Sequence, residues 1–485
     1  MLTRLRVSGF KNLVDVDISF GPFTCIAGAN GVGKSNLLDA IGFLSALASG
    51  TLIDAALSVR DQGAKTGDIG GLFHRVGDYL AGEVTFEAEM IIPDSGTDDL
   101  GQQASASSTL VQYAVSLRHN RDEGARARGS LELVKEELRP IALGEAASHL
   151  HFPFSPEWKR RVVTNRRRTP KYISTLGSGA DRVINVHQDG GSSGKPQRLR
   201  AANLPRTVLS AANAAESPTA TLVKREMQSW RLLQLEPSSL REPDNFSSPV
   251  ELASDGAHLP ATLYHLANGS GVDSAAVYTE VANRVSQLID DVRSISVDRD
   301  EHRQLLTAYV KGRDGTAYPA RALSDGTLRF LALAVLSIDP DSRGVICLEE
   351  PENGIHPQRI PAMIQLLRDL TTDTKQSLWT GPGSPIRQVI INTHSPSVVM
   401  QVPEDSLVVA EPVELTRDKV SFKVLQLRCL PGTWREKMGG MKPIPMGQLL
   451  AYLNPVLFRS EDQAGRVIDH ADLRQYKIPF SEIAE

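Results

Sequence analysis

Lys34 and Ser35 close the run Gly28-Ala29-Asn30-Gly31-Val32-Gly33-Lys34-Ser35, which fits G-x-x-x-x-G-K-[ST] at every fixed position. Glycines at this spacing let backbone N–H groups turn inward around a polyphosphate. Gly28, Asn30, Gly31 and Gly33 would form the cradle, with Asn36 just beyond it. Lys34 would reach the outer phosphates, and the Ser35 hydroxyl would hold a Mg²⁺. Far along the chain, four apolar residues precede Glu349 and Glu350 in a stretch ending Pro-Glu-Asn-Gly-Ile-His-Pro357. Glu349 can sit in a Mg²⁺ shell, and Glu350 can orient or deprotonate a water facing a γ-phosphate. His394 follows another apolar run and can hydrogen-bond the γ-phosphate or that water. Ser324-Asp325-Gly326 opens an apolar helix and makes an anion-binding corner. The chemistry these residues would share is transfer of a terminal phosphoryl group from a Mg²⁺-bound polyphosphate to water.

Elements must bring these residues together. The apolar residues 23–27 predict a buried strand before the loop, and 36–48 have helical spacing after it. Residues 2–7 alternate like a strand, as do 84–90, and 14–20, 110–117 and 131–138 are further strand candidates. Residues 95–109 are rich in Ser, Gly, Asp and Gln and predict an exposed loop. Residues 221–235, 259–267 and 274–292 carry apolar residues at i, i+3, i+4 and predict helices. Residues 344–349 and 387–393 predict strands buried on both faces, which deliver polar residues to the C-terminal edge of a parallel sheet. Two closing strands, 407–411 and 420–427, and one late helix, 446–453, complete the pattern. Pro and Gly recur between residues 35 and 324 without sustained heptads, which argues against a long coiled-coil arm.

The 485 residues predict two to three domains, and 41% apolar with 23% charged residues is ordinary for a globular protein. No apolar run reaches membrane-spanning length. The start alternates like a strand rather than reading as a signal peptide. Cys25, Cys347 and Cys429 lie far apart and predict reduced thiols, hence a cytoplasmic protein. The net charge of −4 hides a local excess: residues 118–206 hold 18 Lys and Arg against 9 Asp and Glu. Within them, the basic residues of 158–172 are flanked by Trp158 and Tyr172. Such a stretch is either a solvated loop or a contact for DNA through phosphates and stacked bases. His149 and His151 lack the carboxylate or cysteine company of a metal site.

The four motifs, in this order, resemble the ABC-type ATPase heads of the RecF, SMC and overcoming-lysogenization-defect (OLD) group. The likeness is greatest to compact AAA-family ATPases of prokaryotic defence and genome maintenance. Phe10-Lys11-Asn12 and the Asp255-Gly256-Ala257-His258-Leu259 pattern strengthen it. The resemblance implies an α/β fold: a P-loop NTPase with an ABC-type head, a mixed sheet flanked by helices, interrupted by a β-rich and helical insertion. The expected division is 1–94 for the first lobe, 95–293 for the insertion, 294–430 for the second lobe and 431–485 for a tail. The family implies a homodimer sandwiching two ATP molecules, with the loop of one chain facing Ser324-Asp325-Gly326 of the other. Glu350 matches the catalytic glutamate, His394 the switch histidine, and Asn353 to His356 the segment crossing the dimer seam. Two departures stand out. The magnesium aspartate of the family is Glu349 here, which suggests slow hydrolysis. The second-loop glutamine has no clear counterpart, because Gln62 follows the loop helix too closely.

Three functions compete at this stage. One is an ATPase acting on or near DNA in repair or phage defence. Another is an ATP-gated switch for a separately encoded nuclease or other effector. The third is a transporter ATPase, disfavoured by the long insertion.

Overall fold

The structure is a computed structural model, and it describes residues 1–59, 69–120, 130–165, 171–189, 195–269, 271, 273–375, 386–417 and 419–453. Residues Met1–Pro443 form one compact unit. The remaining unit contributes one described helix, Met446–Leu453, where the sequence predicted it. Among the described residues, no helix is long and apolar enough to cross a membrane.

The strand Phe23–Ala27 is buried at every residue and lies inside a six-stranded sheet. The order across that sheet is Arg231–Leu233, Gly344–Glu349, Arg387–Thr393, Phe23–Ala27, Leu407–Arg417 and Val420–Cys429. The first five strands run parallel and the last is antiparallel. Continuous apolar runs such as Val345 to Leu348 suit strands covered on both faces. Parallel alignment brings the C-terminal ends at Leu233, Glu349, Thr393 and Ala27 to one edge. There Thr393 pairs with Ala27, Glu349 with Asn392, and Leu233 with Leu348.

An eight-stranded antiparallel sheet packs beside it, built from Leu2–Phe10, Leu13–Ser19, Glu83–Ile91 and five strands between residues 110 and 200. This sheet runs without a break across residue 94. The loop helix Lys34–Leu47 fills the space against it, with Phe43 between Phe10 and Phe86 at ring separations of 6.0 and 5.5 Å. Burying one such ring is worth about 3 kcal/mol.

Local readings differ from the fold in three places. Residues 95–109 hold a small hairpin, Ser95–Thr97 with Gln103–Ser105, rather than an unbroken loop. The helix expected over 221–235 is Pro218–Gln228, and Arg231–Leu233 leaves it to become the edge strand of the core sheet. The helix expected to reach residue 292 ends earlier, at Ser274–Ser286, and Val292 begins a strand. In both cases, sheet pairing overrides a helical apolar pattern.

Candidate functional site

The loop between Ala27 and Lys34 has a conformation only glycine tolerates at one position. Gly33 sits at φ 108°, and a Cβ there would fall 2.3 Å from the Asn12 side chain. Asn12 donates to the Val32 carbonyl at 2.9 Å and accepts from Asn36 at 2.8 Å. The turn Phe10-Lys11-Asn12 therefore braces the loop from below. Lys11 pairs with Asp39 of the loop helix at 2.8 Å.

Above the sheet edge lies a cavity of about 530 Å³, within the usual range for a small-molecule site. Asn30, Gly31, Gly33, Lys34, Ser35 and Asn36 line it on one side, and Glu349, Glu350, Asn353 and Asn392 on another. Six of the residues singled out from the loop motif and both singled out from the carboxylate strand thus face one space. Gly28 lies behind it: its carbonyl and that of Ala29 accept from Lys34 Nζ at 2.7 and 2.8 Å. Burial lowers the Lys34 pKa, while Glu350, Glu352 and Glu349 pull it back up. Ser324, Asp325 and Gly326 are not among the lining residues.

Glu350 has φ 44°, a left-handed backbone uncommon for a non-glycine residue. Its N–H donates to both the carbonyl and the side-chain oxygen of Asn392, each at 3.1 Å. Its two carboxylate oxygens are also tied, Oε1 to His394 Nδ1 at 2.6 Å and Oε2 to Asn353 Nδ2 at 2.9 Å. Burial pushes this carboxyl up, but the Asn353 and His394 hydrogen bonds and the nearby His394 and Lys34 charges outweigh it. The net effect holds Glu350 below the usual carboxylate range, so it is ionised at neutral pH. Strained backbone held by surrounding contacts is a feature of working sites. Asn392 Nδ2 stands 3.5 Å from Glu349 Oε1. Glu349, Ser35 and the Asn392 amide supply oxygen donors of the type Mg²⁺ prefers.

Among the lining residues that the sequence reading missed are Gln234 and Arg329. Gln234 follows the edge strand Arg231–Leu233 directly, beside the carboxylate strand, and reaches the cavity with Leu235 and Glu236. A three-residue strand carries no periodicity to betray it. Arg329, from the helix Asp325–Ile338, also lines the cavity. Its guanidinium donates to the Leu235 carbonyl at 3.0 Å and the Asn353 carbonyl at 2.7 Å.

Ser324 caps that helix, accepting from the Thr327 N–H at 3.3 Å. Asp325 pairs with Arg241 at 2.5 Å. Gly326 lies so close to Gly354 that a Cβ would be 2.3 Å from its carbonyl oxygen. The motif corner therefore meets the segment that begins at Asn353, but none of its own three residues lines the cavity.

The flanks of the basic stretch need correction. Trp158 and Tyr172 are each 2% exposed and offer no face for stacking bases. Trp158 packs edge-on against Phe152, and the Tyr172 hydroxyl meets Ser107 at 2.7 Å. Arg160 and Arg161 are exposed. Arg166 to Arg168 lie outside the described residues, as does Gln62. His149 meets Glu89 at 2.8 Å.

Comparison with known proteins agrees with this geometry. The family model described as "AAA domain, putative AbiEii toxin, Type IV TA system" matches residues 23–97 and 160–400. The DNA replication and repair protein RecF of Phocaeicola vulgatus is 38% identical over 64 residues, 13% of this chain and 17% of that one. RecF of Magnetococcus marinus is 35% identical over 120 residues, 24% of this chain and 29% of its own. The OLD nuclease of Thermus scotoductus is 51% identical over 41 residues, 8% of each. The chain thus spans under a third of the curated relatives it matches. A solved SMC head bound to the C-winged helix domain of ScpA aligns over 87% of this chain and 97% of its own. Its TM-score is 0.46 at 15% identity. The matched segments take in the loop, the Ser-Asp-Gly corner, the carboxylate strand and the His394 corner alike. The chain belongs to this AAA-domain family, and short segments of it are similar to RecF and to OLD nuclease.

Proposed function

We propose that this protein hydrolyses ATP and works as a homodimer closed around two nucleotides, in a DNA-associated process such as repair or phage defence. One observation carries the reading: an ionised Glu350, tied at both oxygens, shares one cavity with the phosphate loop. Lys34 would exchange the Gly28 and Ala29 carbonyls for phosphate oxygens. Ser35 and Glu349 would hold a Mg²⁺, which supplies charge neutralisation on the phosphates when bound. Glu350 would orient a water and take its proton, and His394, engaged through Nδ1, would offer Nε2 to the phosphate. Gln234 sits where it can align that water, and we assign it the second-loop role. Asp325 and Gly326 would meet the nucleotide of a second copy across the seam.

The DNA association is supported by similarity over short segments to the DNA replication and repair protein RecF and to OLD nuclease. The long carboxylate at Glu349 favours a second reading, in which slow turnover only resets an ATP-gated switch for a separately encoded nuclease or other effector.

Light scattering and turnover assays test both. Glu350→Gln should be a dimer with Mg·ATP and a monomer without it, and DNA should raise wild-type turnover several-fold. A monomer under both conditions would remove the sandwich. Turnover indifferent to DNA would favour the switch.

A further inference from the structure

Glu352 lies two residues beyond Glu350 and has no part in the mechanism above. It is 7% exposed. Its Oε1 accepts from the Thr393 hydroxyl, and its Oε2 is buried with no hydrogen-bond partner among the described residues. A buried carboxyl oxygen left so costs free energy and calls for an explanation. Burial pushes this carboxyl above the usual carboxylate range, against the Thr393 hydrogen bond.

Thr393 is the junction of three segments. Its carbonyl accepts from the Gly28 N–H at 3.1 Å, at the first glycine of the phosphate loop. Its hydroxyl oxygen accepts from the Ser395 N–H at 2.9 Å, which fixes the corner that carries His394. With that lone pair engaged, the hydroxyl proton points to Glu352. Glu352 in turn belongs to the turn that holds Asn353 on Glu350, closed by Asn353 N–H to the Glu350 carbonyl and Ile355 N–H to the Glu352 carbonyl. The hydroxyl–carboxyl link therefore joins the segment behind Glu350 to the corner that aims His394 at Glu350.

We propose that Glu352, acting through Thr393, is a positioning residue for ATP hydrolysis: it locks the Glu350–His394 pair in the geometry that orients water. The inference rests on the ATPase reading above. The link touches neither Lys34 nor Ser35, so its loss should spare nucleotide binding and slow only the chemical step.

The test is steady-state ATP turnover by the full chain. Glu352→Ala and Thr393→Val should each lower kcat roughly 10- to 100-fold while KM for Mg·ATP stays within about twofold. Glu352→Gln, which keeps an oxygen acceptor for the Thr393 hydroxyl, and Thr393→Ser, which keeps the hydroxyl, should retain most of the wild-type kcat. The double variant Glu352→Ala/Thr393→Val should be no slower than either single one, since both break one link. A fully active Glu352→Ala, parallel changes in kcat and KM, or additive losses in the double variant would overturn the inference alone. If Glu352→Ala fails to fold, the Thr393 pair decides: a Val loss that Ser does not restore overturns it. A wild-type chain without ATP turnover overturns this inference and the ATPase reading together.

Discussion

Glu350 shows what a single residue contributes here. Its positive φ is sustained by Asn392, and its charge by Asn353 and His394. These neighbours were partly legible in the sequence, because Glu350 and Asn353 share one short motif and His394 ends a recognisable strand. Lys34 and Ser35 were legible for the same reason: a loop motif compresses its chemistry into eight consecutive residues. Gln234 was not legible, since its position depends on which strand lies beside Gly344–Glu349, a fact of three dimensions. Removing it gives a prediction at this scale. Gln234→Ala should lower kcat roughly 10- to 100-fold with little change in ATP affinity. Unchanged kcat in the same assay would return the second-loop role to unassigned.

Among elements, the helix Asp325–Ile338 links the cavity to the proposed dimer seam. Arg329 reaches the cavity wall, and Gly326, one turn earlier, abuts Gly354. Gly326→Ala would drive a methyl into a backbone carbonyl and should destabilise this contact by roughly 1–3 kcal/mol. We expect it to abolish ATP-dependent dimers in light scattering while the loop still binds nucleotide in calorimetry. Elsewhere, the strand Ser130–Pro140 buries Glu136 completely, and its carboxyl accepts from the Val208 and Leu209 N–H groups at 2.7 and 2.8 Å. Burial pushes this acid up to about 7 despite those bonds. A raised acid favours the native state below its unfolded pKa and loses that advantage as pH rises through 7. The stability of wild type relative to Glu136→Gln should therefore grow as pH falls from about 7 to about 4.5 in denaturant titrations. A pH-independent difference would contradict the assignment. The strand itself was among those expected from the sequence. The partner of its one buried acid was not, because the backbone donors at Val208 and Leu209 lie some seventy positions away.

Over the whole molecule, distant segments converge because parallel pairing places four strand ends on one edge. The sequence carried the order of motifs, and with it the α/β character and the kinship to the AAA-domain family. It did not carry the sheet order, or the fact that strands from both sides of residue 94 share one antiparallel sheet. Trp158 and Tyr172 show the limit of composition: aromatics beside basic residues read as a base-stacking surface, yet both rings close core contacts. A phenyl ring at Phe43 joins the antiparallel sheet to the loop helix, so Phe43→Ala should cost about 3–5 kcal/mol in urea unfolding. A change below half of that would mean the two layers do not rely on this ring.

The central claim is that the cavity above the sheet edge cleaves ATP with Glu350 as the residue acting on water. Single-turnover hydrolysis of radiolabelled Mg·ATP by wild type and Glu350→Gln tests it most directly. The account predicts equal nucleotide occupancy and a cleavage rate lowered roughly 100- to 10,000-fold in the variant. Cleavage at the wild-type rate by Glu350→Gln would contradict it.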